Sequence, residues 1–177
     1  EDHEMLLSKP EIEKRRATGE IVIDEFKPEN LGSAQYDVSL GEHCYREASN
    51  ERAAAIYNPY DESHVRRSWQ LDRAVTHEDI IERTGQRLVN IGLDEKIILI
   101  KPGEMILAHT EEFIGGAHET TTMMKARSSL GRNCIEVVRC AGMGDVGYIN
   151  RWTLEVNNTS RKNTTALVVG RRVGQLL

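Results

Sequence analysis

The sequence predicts a mainly β protein, a distorted β-barrel or a double-sheet jelly roll that begins with a short helix. Short apolar runs of strand length recur at near-regular spacing, glycine-containing turns separate them, and little of the chain shows a helical pattern. The chain has 177 residues and a mass of 20.0 kDa. This length fits a single domain over residues 1–177 with a core of its own.

The N-terminal helix is predicted over residues 9–18. Ser8 and Glu11 have the spacing of a capping box. Pro10 suits the first turn of a helix, and Gly19 is a typical stop signal.

Two short strands are predicted after the helix. Ile21–Ile23 is the first, and Pro28 with the loop at 30–32 ends it. Tyr36–Leu40 alternates apolar and polar residues at period two, which predicts a half-buried strand.

The pattern loosens from about residue 46 to residue 92, where polar residues dominate. We interpret 46–92 as a long insertion between strands. It is either functional, as a lid or an oligomer contact, or a loop that extends into solvent. Within it, Thr76 and Asp79 have the spacing to cap a helical turn that contains Ile80 and Ile81.

The second half of the chain carries the clearest strand patterns. Ile97–Ile100 and Met105–Ala108 flank a Pro-Gly turn at Lys101–Glu104, which predicts a β-hairpin with a type II turn. Further strands are predicted at Thr120–Ala126, Ile135–Cys140, Trp152–Asn157 and Ala166–Val169. A strand pattern is still running at 174–177, so we expect a C-terminal segment beyond it.

Charge and hydropathy exclude several classes of protein. The net charge of −5 and the pI of about 5.7 argue against a protein that binds duplex nucleic acid, which needs a basic face. No apolar run approaches the roughly 20 residues that cross a bilayer, and no signal peptide pattern opens the sequence. We therefore expect a cytoplasmic protein that binds neither membrane nor nucleic acid.

The cysteines predict reduced thiols rather than disulfides or a zinc site. Cys44, Cys134 and Cys140 are odd in number and lack C-x-x-C pairing. His109 and Glu111 fit the H-x-E half of the zinc nucleobase deaminases, but the P-C-x-x-C half is missing from the sequence.

The stretch from Arg127 to Arg132 is the first candidate for chemistry. Its two arginines and the hydroxyls of Ser128 and Ser129 flank a bend at Gly131. Such a set offers charge-assisted hydrogen bonds to phosphate oxygens. The alternative is a solvated surface turn with an arginine–carboxylate pair, and the local sequence leaves both open.

Asp145 is the second candidate. It lies in a turn where Gly142, Gly144 and Gly147 let the backbone bend tightly and approach a ligand. The alternative is an aspartate that only caps the turn.

Glu155 is the third candidate, in the middle of a strand pattern. Leu154 and Val156 face one side of that strand, so Glu155 faces the other side with Thr153 and Asn157. In an open sheet that face is in solvent. In a closed or trimer-packed barrel it is buried, and a buried carboxylate is suited to proton transfer. Periodicity does not decide between the two.

These motifs resemble those of the dCTP deaminases, members of the trimeric dUTPase superfamily. The family's R-S-S-L-A/G-R motif stands at Arg127–Arg132, and A-x-x-I-D-P-G-F/W-x-G-x-I/V-x-L-E stands at Ala141–Glu155. The early S-x-D-V/L-x-L-G strand is similar to Ser33–Gly41, and the P-G-E turn to Pro102–Glu104. The spacing within the later motifs needs no gap.

The resemblance covers about residues 5–177, with 46–92 poorly matched. Three departures lie in the turn around Asp145, where Gly144 replaces isoleucine, Val146 replaces proline or alanine, and Asn150 replaces a common glycine. They make the turn less standard but remove no reacting group.

The resemblance implies a dUTPase-type β-barrel that assembles as a homotrimer, with each site between neighbouring subunits. It implies a zinc-independent hydrolase of pyrimidine deoxynucleotide metabolism that converts dCTP to dUTP and ammonia. Magnesium would be bound mainly through the substrate phosphates. The small-molecule ligand is then dCTP, with dUTP and dTTP as further candidates.

The resemblance also implies a role for each motif residue. Glu155 is the general base that activates water against C4 of cytosine. Ser128 and Arg132 fix the water and the exocyclic group, and the Ala141 carbonyl accepts a hydrogen bond from the base. Asp145 binds the 3′-hydroxyl or orients a water that attacks the α-phosphate. The implied substrate-binding residues are Arg127, Ser128, Ser129, Asp145, Tyr148 and Gln175.

Three alternatives stay open. Gly131 and Gly142 match the bifunctional members that release dUMP and pyrophosphate from dCTP. A plain dUTPase keeps the arginine–serine and aspartate motifs but carries no carboxylate at the position of Glu155. A catalytically silent barrel that senses nucleotides belongs to another class, and the complete motif set argues against it.

Overall fold

The computed structural model describes residues 6–48, 56–139 and 141–177. Over these residues the chain forms four α-helices, which are α1 (Lys9–Thr18), α2 (Glu62–Ser68), α3 (His77–Thr84) and α4 (Ser128–Gly131). The strands of the first half are β1 (Ile21–Ile23), β2 (Tyr36–Ser39), β3 (His43–Glu47), β4 (Trp69–Arg73), β5 (Val75–Thr76), β6 (Lys96–Ile100) and β7 (Met105–His109). Those of the second half are β8 (Ile114–Gly116), β9 (Thr122–Ala126), β10 (Ile135–Glu136), β11 (Met143–Gly144), β12 (Thr153–Asn158), β13 (Thr165–Val168) and β14 (Arg172–Leu176).

The described strands pair antiparallel in four sheets. Their orders are β10-β12-β7-β3-β4, β11-β9-β14-β2, β13-β6-β5 and β1-β8. None of these sheets closes on itself within the described residues. The prediction of a mainly β fold with a short N-terminal helix is confirmed, and the arrangement is of the double-sheet jelly-roll type rather than a closed barrel.

One apolar cluster holds the sheets together. It takes a side chain from each of them, including Ile21 of β1, Val38 of β2, Ile98 of β6 and Leu154 of β12. Val38 and Leu154 are completely buried. Full burial of such a side chain contributes roughly 1.5–3 kcal/mol each, so this cluster fixes how the sheets lie on one another.

The predicted N-terminal helix is confirmed over residues 9–18, but its predicted capping box is wrong. The Ser8 side chain makes no cap hydrogen bond. Glu11 instead accepts a hydrogen bond from Arg15 Nε at 3.1 Å, because residues four apart lie side by side on a helix surface. Gly19 ends the helix in the left-handed conformation with φ of 82°.

The prediction that Tyr36–Leu40 is half-buried is wrong, because β2 is covered on both sides. All four residues of β2 are buried. The Ser39 N–H donates to the carboxylate of Glu112 at 2.9 Å, while Asp37 lies under arginine side chains. Period-two alternation fails here because polar groups on neighbouring elements pair with Asp37 and with the Ser39 N–H and cover the polar face of β2.

The predicted hairpin at Ile97–Ala108 is also wrong. The turn forms as expected, since Gly103 has φ of 74° and the Glu104 N–H donates to the Lys101 carbonyl at 3.0 Å. However, β6 pairs with β13 and β5, whereas β7 pairs with β12 and β3. The turn therefore carries the chain from one sheet to another, because partners distant in sequence decide the pairing.

The described part of segment 46–92 contains secondary structure, whereas residues 49–55 lie outside the described chain. β4 pairs with β3, and β5 pairs with β6. The Thr76–Asp79 capping box is confirmed at the start of α3. Ile80 of that helix is buried with Ile97 and Val168. That 46–92 is an insertion stays a prediction.

The remaining strand predictions hold in part. The strands predicted near residues 120–126, 152–157 and 166–169 are β9, β12 and β13. The strand predicted at 135–140 is only two residues long within the described chain, since Val138 takes a positive φ of 62°, and Cys140 lies outside it. No helix in the part of the chain that the structure describes is both long and apolar enough to span a membrane.

Candidate active site

The arginine–serine cluster lies where β9 passes into α4. Arg127 is extended, with φ of −81° and ψ of 133°, and Ser128 begins the short helix. Ser128, Ser129 and Arg132 are exposed. The Arg132 N–H donates to the Ser128 carbonyl at 3.0 Å, which closes the turn. Two hydroxyls and two guanidinium groups are thus presented along six consecutive residues.

A buried carboxylate, Asp37 of β2, contacts two of the predicted binding residues. The exposed fraction of its side chain is 9%, and Arg127 Nη2 lies 3.6 Å from its Oδ2. Gln175 Nε2 donates to Oδ1 at 3.1 Å, and Arg172 Nη1 donates to Oδ2 at 3.3 Å. The structure therefore brings together Arg127 and Gln175, two residues that the family resemblance implied in substrate binding.

Sequence reasoning gave Asp37 no role, although it quoted the strand that contains it. The arginine–carboxylate pair considered as an alternative for Arg127 is present, with Asp37 as the partner. The available signal was an aspartate between Tyr36 and Val38 in the middle of a strand. A carboxylate at such a position needs a buried partner.

The strand that carries Asp37 is fixed by a second buried carboxylate. Both oxygens of Glu112 accept the Ser39 N–H, at 3.1 and 2.9 Å, and Glu112 is fully buried. Burial raises the pKa of the Glu112 carboxyl above its ordinary value. Nearby, Lys27 Nζ lies 2.6 Å from a Glu111 oxygen.

Asp145 begins a tight turn that rests on β8. Its carbonyl accepts the Tyr148 N–H at 2.9 Å, and Gly147 has φ of 85°, as a type II turn requires. The Gly147 N–H donates to the Gly116 carbonyl at 2.8 Å. Asp145 and Tyr148 are exposed, and the Tyr148 ring packs edge-on against Trp152 with centroids 5.3 Å apart.

Glu155 lies in the centre of β12, on the face predicted for it. Leu154 and Val156 on either side are completely buried, whereas Glu155 is half-buried. It stands opposite Leu107 of β7 in the register. Its position is therefore intermediate between the solvent face and the buried face that the sequence left open.

The Ala141 loop packs against the middle of β9. The Gly142 carbonyl accepts the Met124 N–H at 2.6 Å. A Cβ at Gly142 would lie 2.7 Å from the Met124 carbonyl oxygen. Ala141 itself is exposed. Close contact with the backbone of β9 therefore explains the glycine at 142.

The two groups of site residues lie at opposite ends of β9. Gly144, next to Asp145, pairs with Thr122 at one end, while Arg127 follows Ala126 at the other. Arg127 lies five residue steps after Thr122 along the chain, which corresponds to about 17 Å in an extended strand. One chain thus presents the arginine–serine cluster and the Asp145 turn as two separate half-sites.

Two cavities flank these half-sites. An open cavity of about 560 Å³ is lined by Arg132, Cys134 and Ser160, among others. A second, apolar cavity of about 240 Å³ lies below α1 and is lined by Ile12 and Tyr36, among others. No predicted site residue is among the described residues that line the apolar cavity. Of these two cavities, the first is the one that a predicted site residue, Arg132, lines.

Comparison with known proteins matches the chain to the family that its motifs resemble. A family model described as dCTP deaminase-like matches residues 6–177. The chain is 32% identical over 172 residues to a protein of Acidothermus cellulolyticus named "dCTP deaminase, dUMP-forming", covering 97% of this chain and 78% of that one. It is 28% identical over 174 residues to a "dCTP deaminase" of Haloarcula marismortui, with the same two coverages.

A solved structure shares the fold. The crystal structure of 2′-deoxycytidine 5′-triphosphate deaminase from Agrobacterium tumefaciens superposes with a TM-score of 0.62 at 16% identity. The match covers 97% of this chain and 46% of that chain. At this identity the likeness shows the fold alone.

Proposed function

The chain belongs to the dCTP deaminase-like family, and from that premise we propose that it deaminates dCTP to dUTP and ammonia. The observation that carries the proposal is the position of Glu155. It is a carboxylate in the centre of a strand whose neighbours Leu154 and Val156 are fully buried, and it faces away from them. A half-buried carboxylate held by a rigid strand is a suitable general base.

The proposed reaction consumes one water. Glu155 takes a proton from that water, and the resulting hydroxide oxygen bonds to C4 of cytosine. Glu155 passes that proton to N3 of the ring, and the hydroxyl proton of the adduct then moves through Glu155 to the exocyclic nitrogen. The C4–N bond breaks, and ammonia leaves as the C4 carbonyl of uracil forms, so one proton of the water ends on N3 and the other in ammonia. General acid–base catalysis of this kind contributes roughly 10²–10⁴-fold.

The neighbouring groups hold the reactants in this scheme. Ser128 and Arg132 orient the water and the exocyclic amine, and the Ala141 carbonyl accepts a hydrogen bond from the base. Holding water and C4 in contact replaces a bimolecular encounter, which lowers the barrier by several kcal/mol. Tyr148 and Asp145 bind the deoxyribose.

The triphosphate is assigned to the arginine–serine cluster. Arg127, Ser128 and Ser129 supply a guanidinium fork and two hydroxyl donors. Support comes from the fixation of Arg127 and Gln175 by the same carboxylate, Asp37. A guanidinium that is oriented before the ligand arrives loses less entropy on binding.

Magnesium enters this scheme as part of the substrate. No three histidine, cysteine, aspartate or glutamate side chains of the described residues gather where they could hold a metal ion. The oxygens of Asp37 already face Arg127, Arg172 and Gln175. A Mg²⁺ ion bound mainly through phosphate oxygens and waters fits this donor set.

We assign the activation of water to Glu155 rather than to zinc. Cys44 lies in β3 and Cys134 beside β10, three strand spacings apart in one sheet, or about 14 Å. They cannot bind the same ion. Burial also raises the pKa of the Cys44 thiol to about 11, which disfavours the thiolate that zinc requires.

A homotrimer completes the site in this proposal. The arginine–serine cluster and the Asp145 turn of one chain lie about 17 Å apart along β9, whereas one nucleotide must contact both sets. A neighbouring subunit that brings its own Asp145 turn to this Arg127 removes the difficulty. Sedimentation of a monomer that is fully active would contradict the assembly.

A cytoplasmic location suits a nucleotide triphosphate substrate.

Further hydrolysis to dUMP and pyrophosphate is a second candidate activity. The Acidothermus relative, named dUMP-forming, favours it. Gly142 no longer does, since contact with Met124 already explains that glycine. In this scheme Asp145 orients a second water toward the α-phosphate, and Asp145→Asn should reduce pyrophosphate release more than ammonia release.

The direct test is ammonia release from purified protein supplied with dCTP and magnesium, with dUTP as a parallel substrate. Ammonia from dCTP is expected. Pyrophosphate from dUTP without ammonia from dCTP would instead indicate a plain dUTPase. Tight binding of either nucleotide with neither product would indicate a nucleotide sensor.

A further inference from the structure

Trp152, which precedes β12, is fixed in three ways. Its side chain is almost fully buried, with 3% exposure. Its indole N–H donates to the Ile114 carbonyl at 2.9 Å. Its backbone N–H donates to Thr110 Oγ1 at 2.9 Å, and its carbonyl accepts the Thr110 N–H at 3.0 Å. The indole ring therefore has a set position and little freedom to turn.

Gly144 leaves the space that this ring occupies. A Cβ at residue 144 would lie 2.5 Å from Cη2 and Cζ2 of Trp152 and 2.5 Å from Thr122 Oγ1. Within the described residues the Thr122 hydroxyl has no hydrogen-bond partner, so Thr122 can rotate at little cost. The anchored indole cannot rotate in this way, so the Trp152 ring excludes a side chain at residue 144.

The same ring supports the turn that carries Asp145 and Tyr148. Asp145 directly follows Gly144, and Tyr148 packs edge-on against the indole, with an interplanar angle of 86°. From the other side, a Cβ at Gly115 would lie 1.9 Å from the Tyr148 carbonyl oxygen. The turn is thus confined between Trp152 and β8, and a displaced indole would remove its support on one side.

We propose that Trp152 is a positioning residue that sets the Tyr148 ring and Asp145, and thereby controls recognition of the deoxyribose. This inference rests on the proposed function. In this proposal the Tyr148 ring lies against C2′ of the sugar, where it leaves no room for a hydroxyl, and Asp145 accepts a hydrogen bond from the 3′-hydroxyl. Both contacts depend on the turn, and the turn depends on the indole.

The test is a double-mutant cycle with Trp152→Leu, Gly144→Ala and the double variant, assayed with dCTP and CTP. Each single change should raise KM for dCTP about tenfold and lower the preference for dCTP over CTP, while kcat stays within about threefold. In the double variant the added methyl meets a smaller side chain. Its effect should therefore be close to that of Trp152→Leu alone rather than the product of both. Trp69→Leu, in β4, is the matched control and should leave KM and preference unchanged.

A second readout is independent of activity. Amide hydrogen exchange at Gly147 and Tyr148, whose N–H groups hold the turn, should be faster in Trp152→Leu than in the parent and in Trp69→Leu. A lower melting temperature with unchanged amide exchange, KM and preference for dCTP over CTP would show that Trp152 only packs in the core. That result would overturn the proposal. If the parent protein does not turn over dCTP, the proposed function fails, and the exchange comparison still decides whether Trp152 positions the turn.

Discussion

Replacing Glu155 with glutamine removes a proton acceptor while keeping the shape of the side chain. Leu154 and Val156, which anchor the strand, are untouched and fully buried. Because Glu155 is only half-buried, we expect the free energy of unfolding to change by no more than about 1 kcal/mol. Loss of the general base should lower kcat for ammonia release at least ~10²-fold, which raises the barrier by about 2.7 kcal/mol.

The assay is continuous detection of ammonia from saturating dCTP, together with urea unfolding of each variant. Glu136→Gln is the matched control, since Glu136 lies on the neighbouring strand and accepts a hydrogen bond from Asn157 at 3.2 Å. The control should keep its activity. Ammonia release by Glu155→Gln at more than about a tenth of the parent rate would show that Glu155 is not the general base, because loss of a general base lowers the rate at least ~10²-fold.

Three further changes test the surrounding structure. Asp37→Asn should raise KM for dCTP about tenfold with little change in kcat, since Arg127 loses a charged partner worth about 1.4 kcal/mol; an unchanged KM in steady-state kinetics would deny this role. Burial raises the pKa of Glu112 above 4.5, so its contribution to stability is present below that pH and is lost as pH rises through the folded-state pKa. Urea unfolding between acidic and neutral pH should therefore show Glu112→Gln gaining stability relative to the parent, and a constant difference would contradict the assignment. Gly115→Ala places a Cβ 1.9 Å from the Tyr148 carbonyl oxygen and should cost about 1–3 kcal/mol in urea unfolding; no loss would mean that the turn can move freely.

Local signals predicted α1 and α3 but not α2 or α4, because the ends of α1 and α3 depend on a few adjacent residues. Gly19 ends α1 in the left-handed conformation, and Thr76 with Asp79 starts α3. The face of Glu155 was also predictable, since strand residues alternate regardless of what covers them. The early match of ordered motifs to one family is confirmed by the family model over residues 6–177.

Strand partners and buried polar contacts were beyond sequence reasoning. The Pro-Gly turn at 102–103 has the predicted geometry, yet β6 and β7 join different sheets, because pairing depends on strands distant in the chain. Asp37 and Arg127 are 90 residues apart in sequence, so their contact could not be derived from spacing. Gly144 and Trp152 illustrate the same limit. The sequence showed Gly144 only as a departure from the family motif, and its contact with the Trp152 ring explains it.

The most direct test of the central claim is mass spectrometry of the nucleotide formed from dCTP and magnesium in water labelled with heavy oxygen. We predict a uracil nucleotide with one labelled oxygen at C4 and one ammonia released for each, with a second label on the phosphates where dUMP forms. A cytosine nucleotide labelled only on its phosphates, with no ammonia, would contradict the assignment of deamination to this chain.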